Sequence, residues 1–376
     1  MAASPALGVA VDARFASSRY DGVGRYVVHL LQELVARADC PPLMVIPPPP
    51  GEAPREPLPS PSEHLREITP ARARAPESPW THWEVPRLVR RSGAAVFHAP
   101  FPLTPLFPGR PMVTTLHDCN PERNPSYYGR LRGAAYLVAV RRALRSSRLI
   151  IVPSEMTADD AVRFHRVARE RIRVIPMGVD LPPPGAVPAD AAARRAALGL
   201  EDGYVLVVGR PRPHKGYLRL VEAMSRMPAS ERPVLVRVGR EDPRLPDGHA
   251  EAAHRLGVRL RPLVDLSEQD LLAVYRGAGL VAMPSEIEGF GFPVLEAMAA
   301  GAPALASDLQ PLRASGGDVA RYVDGGADAW AEALSRGLAD SEWRATAARE
   351  GPPRAAGFSW ARTAEETLQV YREAAG

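Results

Sequence analysis

The most informative stretch of the sequence, residues 284–301, reads PSEIEGFGFPVLEAMAAG. It follows a short apolar run that predicts a strand, and Gly289 and Gly291 predict a loop in which the backbone can approach a ligand closely. Pro293 suits the first position of a helix, and Gly301 suits its C-terminal end. The stretch therefore predicts a strand, a glycine loop and a helix whose first N–H groups can bind an anion.

Two carboxylates flank the predicted helix start, with seven residues between them. Glu288 precedes the helix, and Glu296 lies in its first turns. N–H groups suit the charged oxygens of a diphosphate and carboxylates suit sugar hydroxyls, so the pattern favours a site for a sugar on a diphosphate. The alternative is that a glutamate near a helix start favours the helix dipole, by about 0.3–1 kcal/mol, without any ligand.

The basic residues have an unusual composition. Lysine and arginine total 47, but the chain has a single lysine, Lys215, in the segment VLVVGRPRPHKGY at 205–217. The segment predicts a strand, a turn and a helix. An ammonium is a compact point charge and a guanidinium is a planar fork, so the two are not interchangeable at a crowded phosphate. Lys215 is therefore a candidate phosphate ligand, and a surface lysine is the alternative.

Both segments resemble motifs of the retaining glycosyltransferases of family 4. Glu288 and Glu296 match the E-x7-E signature, and Gly209, Arg210 and Lys215 match the G-R-x(n)-K-G motif. The resemblance implies that Arg210 and Lys215 hold the pyrophosphate of the donor. It also implies that Glu288 faces the donor sugar and Glu296 the ribose hydroxyls. The donor-binding loop would comprise Gly289, Phe290, Gly291 and Phe292.

Length and composition indicate a globular chain of one to three domains. It has 376 residues, 24% charged and 45% hydrophobic. No apolar run approaches the ~20 residues of a membrane span, and the N-terminus lacks a signal peptide pattern, so we expect a cytoplasmic location. A net charge of +4 is too weak to argue for nucleic acid. Cys40 and Cys119 lack metal or redox spacing, so we expect no disulfide, metal or cofactor.

Apolar runs alternate with helical patterns along the chain, which is typical of doubly wound α/β folds. The predicted strands are 7–11, 43–46, 94–98, 112–116, 149–152, 172–175, 204–208, 234–238, 280–283 and 304–306. A proline-rich linker at 180–188 divides them into two series. With the resemblance, this predicts the GT-B fold, two Rossmann-like domains facing each other across a cleft. We expect an acceptor domain at 1–180, a donor domain at 181–358 and a helix at 359–376 that packs back on the first domain.

The first half contains a second set of candidate residues. Gly22 and Gly24 follow the first strand and predict a glycine loop, and the alternative is that they are turn residues. His117 and Asp118 end another predicted strand, where ligands bind in such sheets. By resemblance, the glycines approach the donor phosphate and acceptor, and the histidine lies beside the donor sugar. His98 is a weaker candidate, for which we expect a structural role.

Two further segments have no clear catalytic role. Residues 47–79 are rich in proline and predict a long loop, either a dispensable insertion or a loop on the acceptor side. Residues 127–148 predict a basic amphipathic helix carrying six arginines. Such a helix has a solvated charged face, or it binds anionic membrane, here the inner face. Weak peripheral association is therefore one expectation for this chain.

These patterns together predict a metal-independent, retaining glycosyltransferase that uses a nucleotide-diphosphate sugar and a hydroxyl acceptor. No Asp-x-Asp follows an apolar strand, so the cationic side chains would neutralise the leaving diphosphate. The glycine and His-Asp segments look most like mannosyl- and rhamnosyltransferases, which favours GDP-mannose. The alternatives are a non-catalytic nucleotide-sugar-binding protein and a dehydrogenase, whose glycine fingerprint is missing. Residues 312–315 depart from the family pattern, and we assign them no role.

Overall fold

The computed structural model divides the chain into two compact units. The first unit is Met1–Gly178 with Ser359–Gly376, and the second is Val179–Phe358. The described residues are 7–17, 21–52, 56–70, 76–105, 107–125, 130–180, 190–241 and 246–376, without the side chains of residues 21 and 130–132. The linker expected at 180–188 therefore lies almost wholly outside the described residues.

The described part of the first unit contains a parallel sheet of seven strands. They are β1 (Val9–Asp12), β2 (Leu43–Ile46), β3 (Leu65–Glu67), β4 (Val96–Ala99), β5 (Met112–Thr115), β6 (Leu149–Val152) and β7 (Ile172–Val174). Their order is β3-β2-β1-β4-β5-β6-β7. The central strands are buried along their whole length, because helices cover both faces of a parallel sheet.

The helices of the first unit include five from the first half of the chain and the last helix of the chain. They are α1 (Asp21–Val35), α2 (Thr81–Ser92), α3 (Asn120–Arg123), α4 (Arg130–Ser146), α5 (Glu155–His165) and the C-terminal α14 (Trp360–Ala375). Helix α14 packs along α1 and buries Tyr371. A Cβ on Gly178 would lie 2.3 Å from the Trp360 nitrogen, so only glycine permits this close approach at the start of α14.

The second unit contains its own parallel sheet. Its strands are β8 (Tyr204–Val208), β9 (Leu235–Val238), β10 (Leu260–Leu263), β11 (Ala278–Met283), β12 (Ala304–Ser307) and β13 (Arg321–Val323). The order is β10-β9-β8-β11-β12-β13. Its helices are α6 (Ala191–Ala197), α7 (Tyr217–Arg226), α8 (His249–Arg255), α9 (Glu268–Gly277), α10 (Phe292–Ala299), α11 (Gln310–Gly316), α12 (Ala327–Ala339) and α13 (Ser341–Ala356).

The strand order reverses between β1 and β4 in the first unit and between β8 and β11 in the second. In open α/β sheets, ligands bind beyond the carboxyl ends of the strands at such a reversal. The loops after β8 and β11 therefore start side by side, although some 70 residues separate them in the chain. Two doubly wound parallel sheets confirm the predicted fold class. None of the helices in the described ranges is long and apolar enough to cross a bilayer.

The structure corrects the expected long loop at 47–79. Strand β3 lies within this segment and pairs with β2, although residues 53–55 and 71–75 are outside the described ranges. Only Leu65 of this edge strand is buried, so its sequence shows no apolar run. Edge strands β10 and β13 were absent from the prediction for the same reason, because each also carries exposed or half-exposed residues.

Candidate functional site

The loop after β8 is built so that its basic residues meet the loop after β11. Gly209 has a φ of 126°, Arg210 follows it, and a 3-10 turn at Pro213–Lys215 ends at Gly216. Gly216 has a φ of 70°, and a Cβ there would lie 2.0 Å from the Pro284 carbonyl oxygen. Glycine is therefore required both for the backbone conformation and for the close approach of the two loops.

Lys215 and Glu288 form an ion pair between these two loops. The Lys215 Nζ donates to the Glu288 Oε1 at 2.5 Å, and the Ser285 hydroxyl donates to the same oxygen at 2.8 Å. The side chains are 25% and 10% exposed. The pair is thus shielded yet open to solvent on one side. A second pair nearby, between Arg219 and Glu286 at 2.7 Å, is more exposed at its carboxylate.

The predicted glycine loop and helix are present after β11. Helix α10 starts at Phe292, one residue before the proline that the sequence suggested, and Gly291 precedes it with a φ of 106°. A Cβ on Gly291 would lie 2.6 Å from the Leu312 side chain. The Ser315 hydroxyl donates to the Phe290 carbonyl at 2.9 Å and fixes the loop from the side of α11. Gly289 completes the loop, half-exposed beside Glu288.

Glu296 lies in the second turn of α10, within the first turns of the helix as predicted. The buried Tyr275, at the end of α9, donates its hydroxyl to Glu296 Oε2 at 2.5 Å. This hydrogen bond orients the carboxylate, which is half-exposed. Sequence reasoning missed Tyr275, because no spacing relates a tyrosine on α9 to a glutamate on α10.

His214 is a second residue of this region that the sequence did not single out. Its carbonyl accepts the Glu286 N–H at 2.8 Å, which ties the turn before Lys215 to the loop after β11. Burial, together with the charges of Lys215 and Arg212, lowers the pKa of His214 to about 3. The imidazole is therefore neutral at physiological pH and adds no charge beside Lys215.

The first unit places its two candidate glycines in a helix, which corrects the predicted glycine loop. Gly22 and Gly24 lie in the first turn of α1, and residues 18–20 before it are outside the described ranges. A Cβ on Gly24 would lie 3.1 Å from the Ser17 carbonyl oxygen, whereas none of the described atoms lies within 4 Å of a Cβ on Gly22. The N–H groups of a first helical turn lack intrahelical acceptors, so they can still meet an anion.

His117 and Asp118 follow β5, as predicted. The His117 Nε2 lies 2.8 Å from the Pro100 carbonyl, and the ring packs edge-on against Tyr26 with centroids 5.2 Å apart. Burial lowers the pKa of His117, although the Pro100 carbonyl and Asp118 oppose this shift. Asp118 is exposed, and its Oδ1 accepts the Asn120 N–H at 2.9 Å. The aspartate thus orders the start of α3.

His98 is fully buried in a hydrogen-bond network. Its Nε2 lies 2.9 Å from the Thr115 hydroxyl, and its Nδ1 lies 2.6 Å from the Tyr371 hydroxyl on α14. The Tyr26 hydroxyl lies 3.1 Å from the same threonine. Burial, with a smaller contribution from His117, lowers the pKa of His98 to about 3. The network connects α1, α14 and the sheet of the first unit.

Both halves of the sequence match glycosyltransferase families. Residues 20–182 match the model described as Glycosyltransferase Family 4, and residues 190–352 match Glycosyl transferases group 1. The solved structure of HepE from Anabaena with UDP-glucose superposes with a TM-score of 0.74 at 18% identity, covering 98% of this chain and 100% of that one. Sucrose-phosphate synthase from Thermosynechococcus elongatus gives 0.73 at 24%, covering 98% of both chains.

Curated relatives show closer sequence similarity. The D-inositol 3-phosphate glycosyltransferase of Xylanimonas cellulosilytica is 34% identical over 285 residues, which cover 70% of this chain and 66% of that protein. Its namesake from Nocardia farcinica is 37% identical over 254 residues, covering 62% and 56%. The matched regions thus span less than two thirds of the length of these relatives.

The chain therefore has the GT-B fold, and it carries a Glycosyltransferase Family 4 domain at 20–182 followed by a Glycosyl transferases group 1 domain at 190–352. The name that the curated relatives share specifies neither mannosyl nor rhamnosyl transfer, so the similarity supports the family and not that narrower subgroup.

Proposed function

We propose that the protein is a glycosyltransferase that moves a hexosyl group from a nucleotide-diphosphate sugar to a hydroxyl acceptor. One observation carries the proposal: Lys215 and Glu288 meet at 2.5 Å beyond the carboxyl ends of β8 and β11, where the strand order of the second unit reverses. Ligands of this fold class bind at that place. The pairing of a cation with a carboxylate there offers partners for both a diphosphate and a sugar hydroxyl.

The second unit binds the donor in this proposal. Lys215 and Arg210 hold the diphosphate, with the N–H groups at the start of α10 from Gly289 to Phe292 and the turn at Gly209. Glu288 accepts hydrogen bonds from the sugar, and Glu296 accepts them from the ribose. The Tyr275 hydroxyl fixes the orientation of Glu296, so we regard it as a positioning residue.

We propose that the first unit is the acceptor domain and that it carries a sugar-binding histidine. His117 is held by the Pro100 carbonyl and by the Tyr26 ring, and its lowered pKa keeps the imidazole neutral near pH 7. We propose that it contacts the sugar rather than the diphosphate. The N–H groups near Gly22 and Gly24 and the exposed Asp118 carboxylate are further polar groups for donor and acceptor.

The diphosphate is neutralised by side chains in this proposal, and a divalent ion is not required. Cations aimed at the leaving group can stabilise it in the transition state as a metal would. Initial rates measured with EDTA and with added Mg²⁺ or Mn²⁺ should agree within a factor of about two. Activity that disappears in EDTA and returns immediately with Mg²⁺ would contradict this account.

We further propose that transfer retains the anomeric configuration. The bond from the anomeric carbon to the diphosphate breaks early, and the acceptor oxygen attacks from the same face. The acceptor proton passes to the leaving phosphate. Glu288 is paired with Lys215 and Ser285, so it is poorly placed to serve as a nucleophile. NMR of the anomeric proton decides: an α-linked donor must give an α-linked product.

The donor nucleotide can be identified by ligand binding. The HepE structure from Anabaena contains UDP-glucose, which supports testing UDP-sugars before GDP-mannose. A ligand at ~100 times its dissociation constant should stabilise the protein by ~2.7 kcal/mol, so thermal shifts with UDP, GDP, dTDP and ADP rank the nucleotides. Inositol 3-phosphate is the first acceptor to test, because the curated relatives carry that name. Slow donor hydrolysis without acceptor would separate an enzyme from a binding protein.

We also propose that the first unit binds anionic membrane. Trp83 and Phe107 are 66% and 75% exposed, and Val138 on α4 is exposed as well. Phe107 and Val138 line an open groove of about 510 Å³ together with Arg142 and Arg145, and His82, the residue before Trp83, lines it as well. Exposed aromatic side chains next to arginines suit the interface between lipid headgroups and acyl chains. Arg141 is less available, because it donates to the Phe164 carbonyl.

Sedimentation with vesicles tests this surface. Wild-type protein should bind vesicles with anionic lipid at low salt, bind less as salt rises and ignore neutral vesicles. Replacing Arg142 and Arg145 by Ser should weaken binding, whereas the same change at Arg336 and Arg349, two exposed arginines of the second unit, should not. If both double substitutions weaken vesicle binding equally, the effect is a nonspecific one of charge, and the proposed surface is contradicted.

A further inference from the structure

The first unit contains a buried cluster of side chains of the types that bind metal ions. This cluster was not predicted from the sequence, and it has no role in the proposed function. It comprises Cys119 and Glu122, at the start and in the single turn of α3, and His165 at the end of α5. Their ligand atoms all lie within 4.8 Å of one another. The Glu122 and His165 side chains are 5% and 2% exposed, and Cys119 is buried.

The polar atoms of this cluster have unmet hydrogen-bonding needs. Both carboxylate oxygens of Glu122 and both ring nitrogens of His165 are buried without a hydrogen-bond partner among the described residues. The His165 Nε2 lies 2.7 Å from the Glu122 Oε1, but the two groups are not aligned as donor and acceptor. Buried polar groups are nearly always satisfied, and a bound ion is one established explanation when they are not.

The local charges favour a cation. Asp160 is neutralised by Arg123 through two hydrogen bonds, at 2.6 and 2.7 Å, so that pair leaves no net charge beside the cluster. Glu122 remains as a buried carboxylate, with Asp118 as a further acidic neighbour of the thiol. The Cys119 thiol is itself buried beside these carboxylates.

We propose that Cys119, Glu122 and His165 bind one Zn²⁺ ion, with water as the fourth ligand. Thiolate, imidazole and carboxylate are the ligand types that zinc takes in proteins. Tetrahedral coordination requires ligand atoms about 3.3–3.9 Å apart. The Glu122 and His165 ligand atoms, which lie 2.7 Å apart, would therefore separate slightly, and any ligand atom farther away than this range would move toward the ion. The thiol proton is released to solvent on binding.

The ion would tie α3 to the end of α5. Cys119 follows His117 by two residues, so the site would fix the segment that carries the candidate histidine. The expectation that Cys119 has no metal spacing followed from sequence distance alone, since His165 is remote along the chain. The inference does not rest on the proposed function and is tested without an activity assay.

Metal analysis of matched cysteine variants tests the proposal. The chain has two cysteines, and the buried Cys40, whose thiol donates to the Pro41 carbonyl at 3.3 Å, provides the control. The full-length protein is stripped with a chelator and reloaded with Zn²⁺ or Co²⁺. Wild type and Cys40→Ser should bind one Zn²⁺ per chain, give the charge-transfer and tetrahedral bands of a cobalt thiolate, and gain several degrees in Tm.

The Cys119→Ser and Glu122→Gln variants should lose the ion. We expect Cys119→Ser to lack the cobalt thiolate band and both variants to bind Zn²⁺ at least tenfold more weakly. If Cys119→Ser fails to fold by circular dichroism, Glu122→Gln decides the question. Wild-type protein that takes up no Zn²⁺, or a Cys119→Ser variant that retains it as wild type does, would show that the cluster is only a buried histidine–glutamate pair.

Discussion

The two units have the same central strand order, but their polar residues serve different purposes. In the second unit, the groups beyond β8 and β11 pair across two loops at a half-open surface, as Lys215 does with Glu288. In the first unit, His98 bonds inward to Thr115 and to Tyr371 of α14. Similar topology therefore hosts a candidate ligand site in one unit and a structural network in the other.

The difference shows what topology can and cannot specify. A reversal of strand order creates the same crevice in both sheets, because the connections leave in opposite directions there. Whether the crevice binds a ligand depends on whether the side chains at its edge are exposed or satisfied by the protein itself. We therefore expect substitutions at the edge of the second sheet to weaken ligand binding and substitutions in the network of the first unit to lower stability.

Loss of the Lys215 charge should have the largest effect. Lys215→Ala should lower kcat/KM by about 100- to 1000-fold, as deletion of one transition-state donor does. Lys215→Arg should also be poor, because the planar fork does not replace the point charge. The control is Arg219→Gln, which breaks the neighbouring Arg219–Glu286 pair and should change kcat/KM less than about threefold. If steady-state kinetics show that Lys215→Ala retains a near-native kcat/KM, Lys215 does not bind the diphosphate.

The buried network of the first unit should respond in stability instead. Tyr371→Phe removes the hydroxyl that lies 2.6 Å from the His98 Nδ1 and leaves that nitrogen unpaired. We expect a loss of about 1–3 kcal/mol in the free energy of unfolding, measured with denaturant. Calorimetry should find nucleotide affinity unchanged. A variant with normal stability and weakened nucleotide binding would reverse the roles assigned to the two units.

Acid should weaken both units, since each buries a histidine whose pKa is about 3, His98 in the first and His214 in the second. The folded pKa lies below the unfolded value of about 6.5, so the unfolded chain binds more protons between these limits and stability falls with pH. Each histidine should contribute up to about 2 kcal/mol of loss between pH 6.5 and 5. In His214→Leu, the free energy of unfolding, measured by denaturant titration at each pH, should fall less steeply with decreasing pH than in the wild type.

Substitutions of the two glutamates should have smaller effects, one mainly on nucleotide binding and the other mainly on turnover. Glu296→Gln should weaken nucleoside diphosphate binding about tenfold, because a charge-assisted hydrogen bond becomes neutral. Tyr275→Phe should act in the same direction but less, since it only frees the carboxylate that it orients. Glu288→Gln should reduce kcat more than affinity. Calorimetry showing equal affinity losses for Glu288→Gln and Glu296→Gln would contradict the division of roles.

Much of this architecture could be predicted from the sequence. The strands at 43–46, 149–152 and 204–208 were predicted with their observed bounds, because buried parallel strands are continuous apolar runs. The glycine loop and helix after β11 were also predicted, since glycine and proline restrict the backbone locally. Edge strands such as β3 were missed, because half-exposed residues leave no apolar run.

By itself, the sequence determined features that depend on local chemistry. These are the two series of strands, the turn between β8 and α7, the glycine loop before the helix at Pro293 and the single lysine in that turn. Only the tertiary structure decided which side chains meet. Lys215 and Glu288 are 73 residues apart and pair because β8 and β11 are neighbours. Cys119 meets His165 because α3 packs near the end of α5. Such contacts depend on sheet order and helix packing, which act over distances that no sequence spacing records.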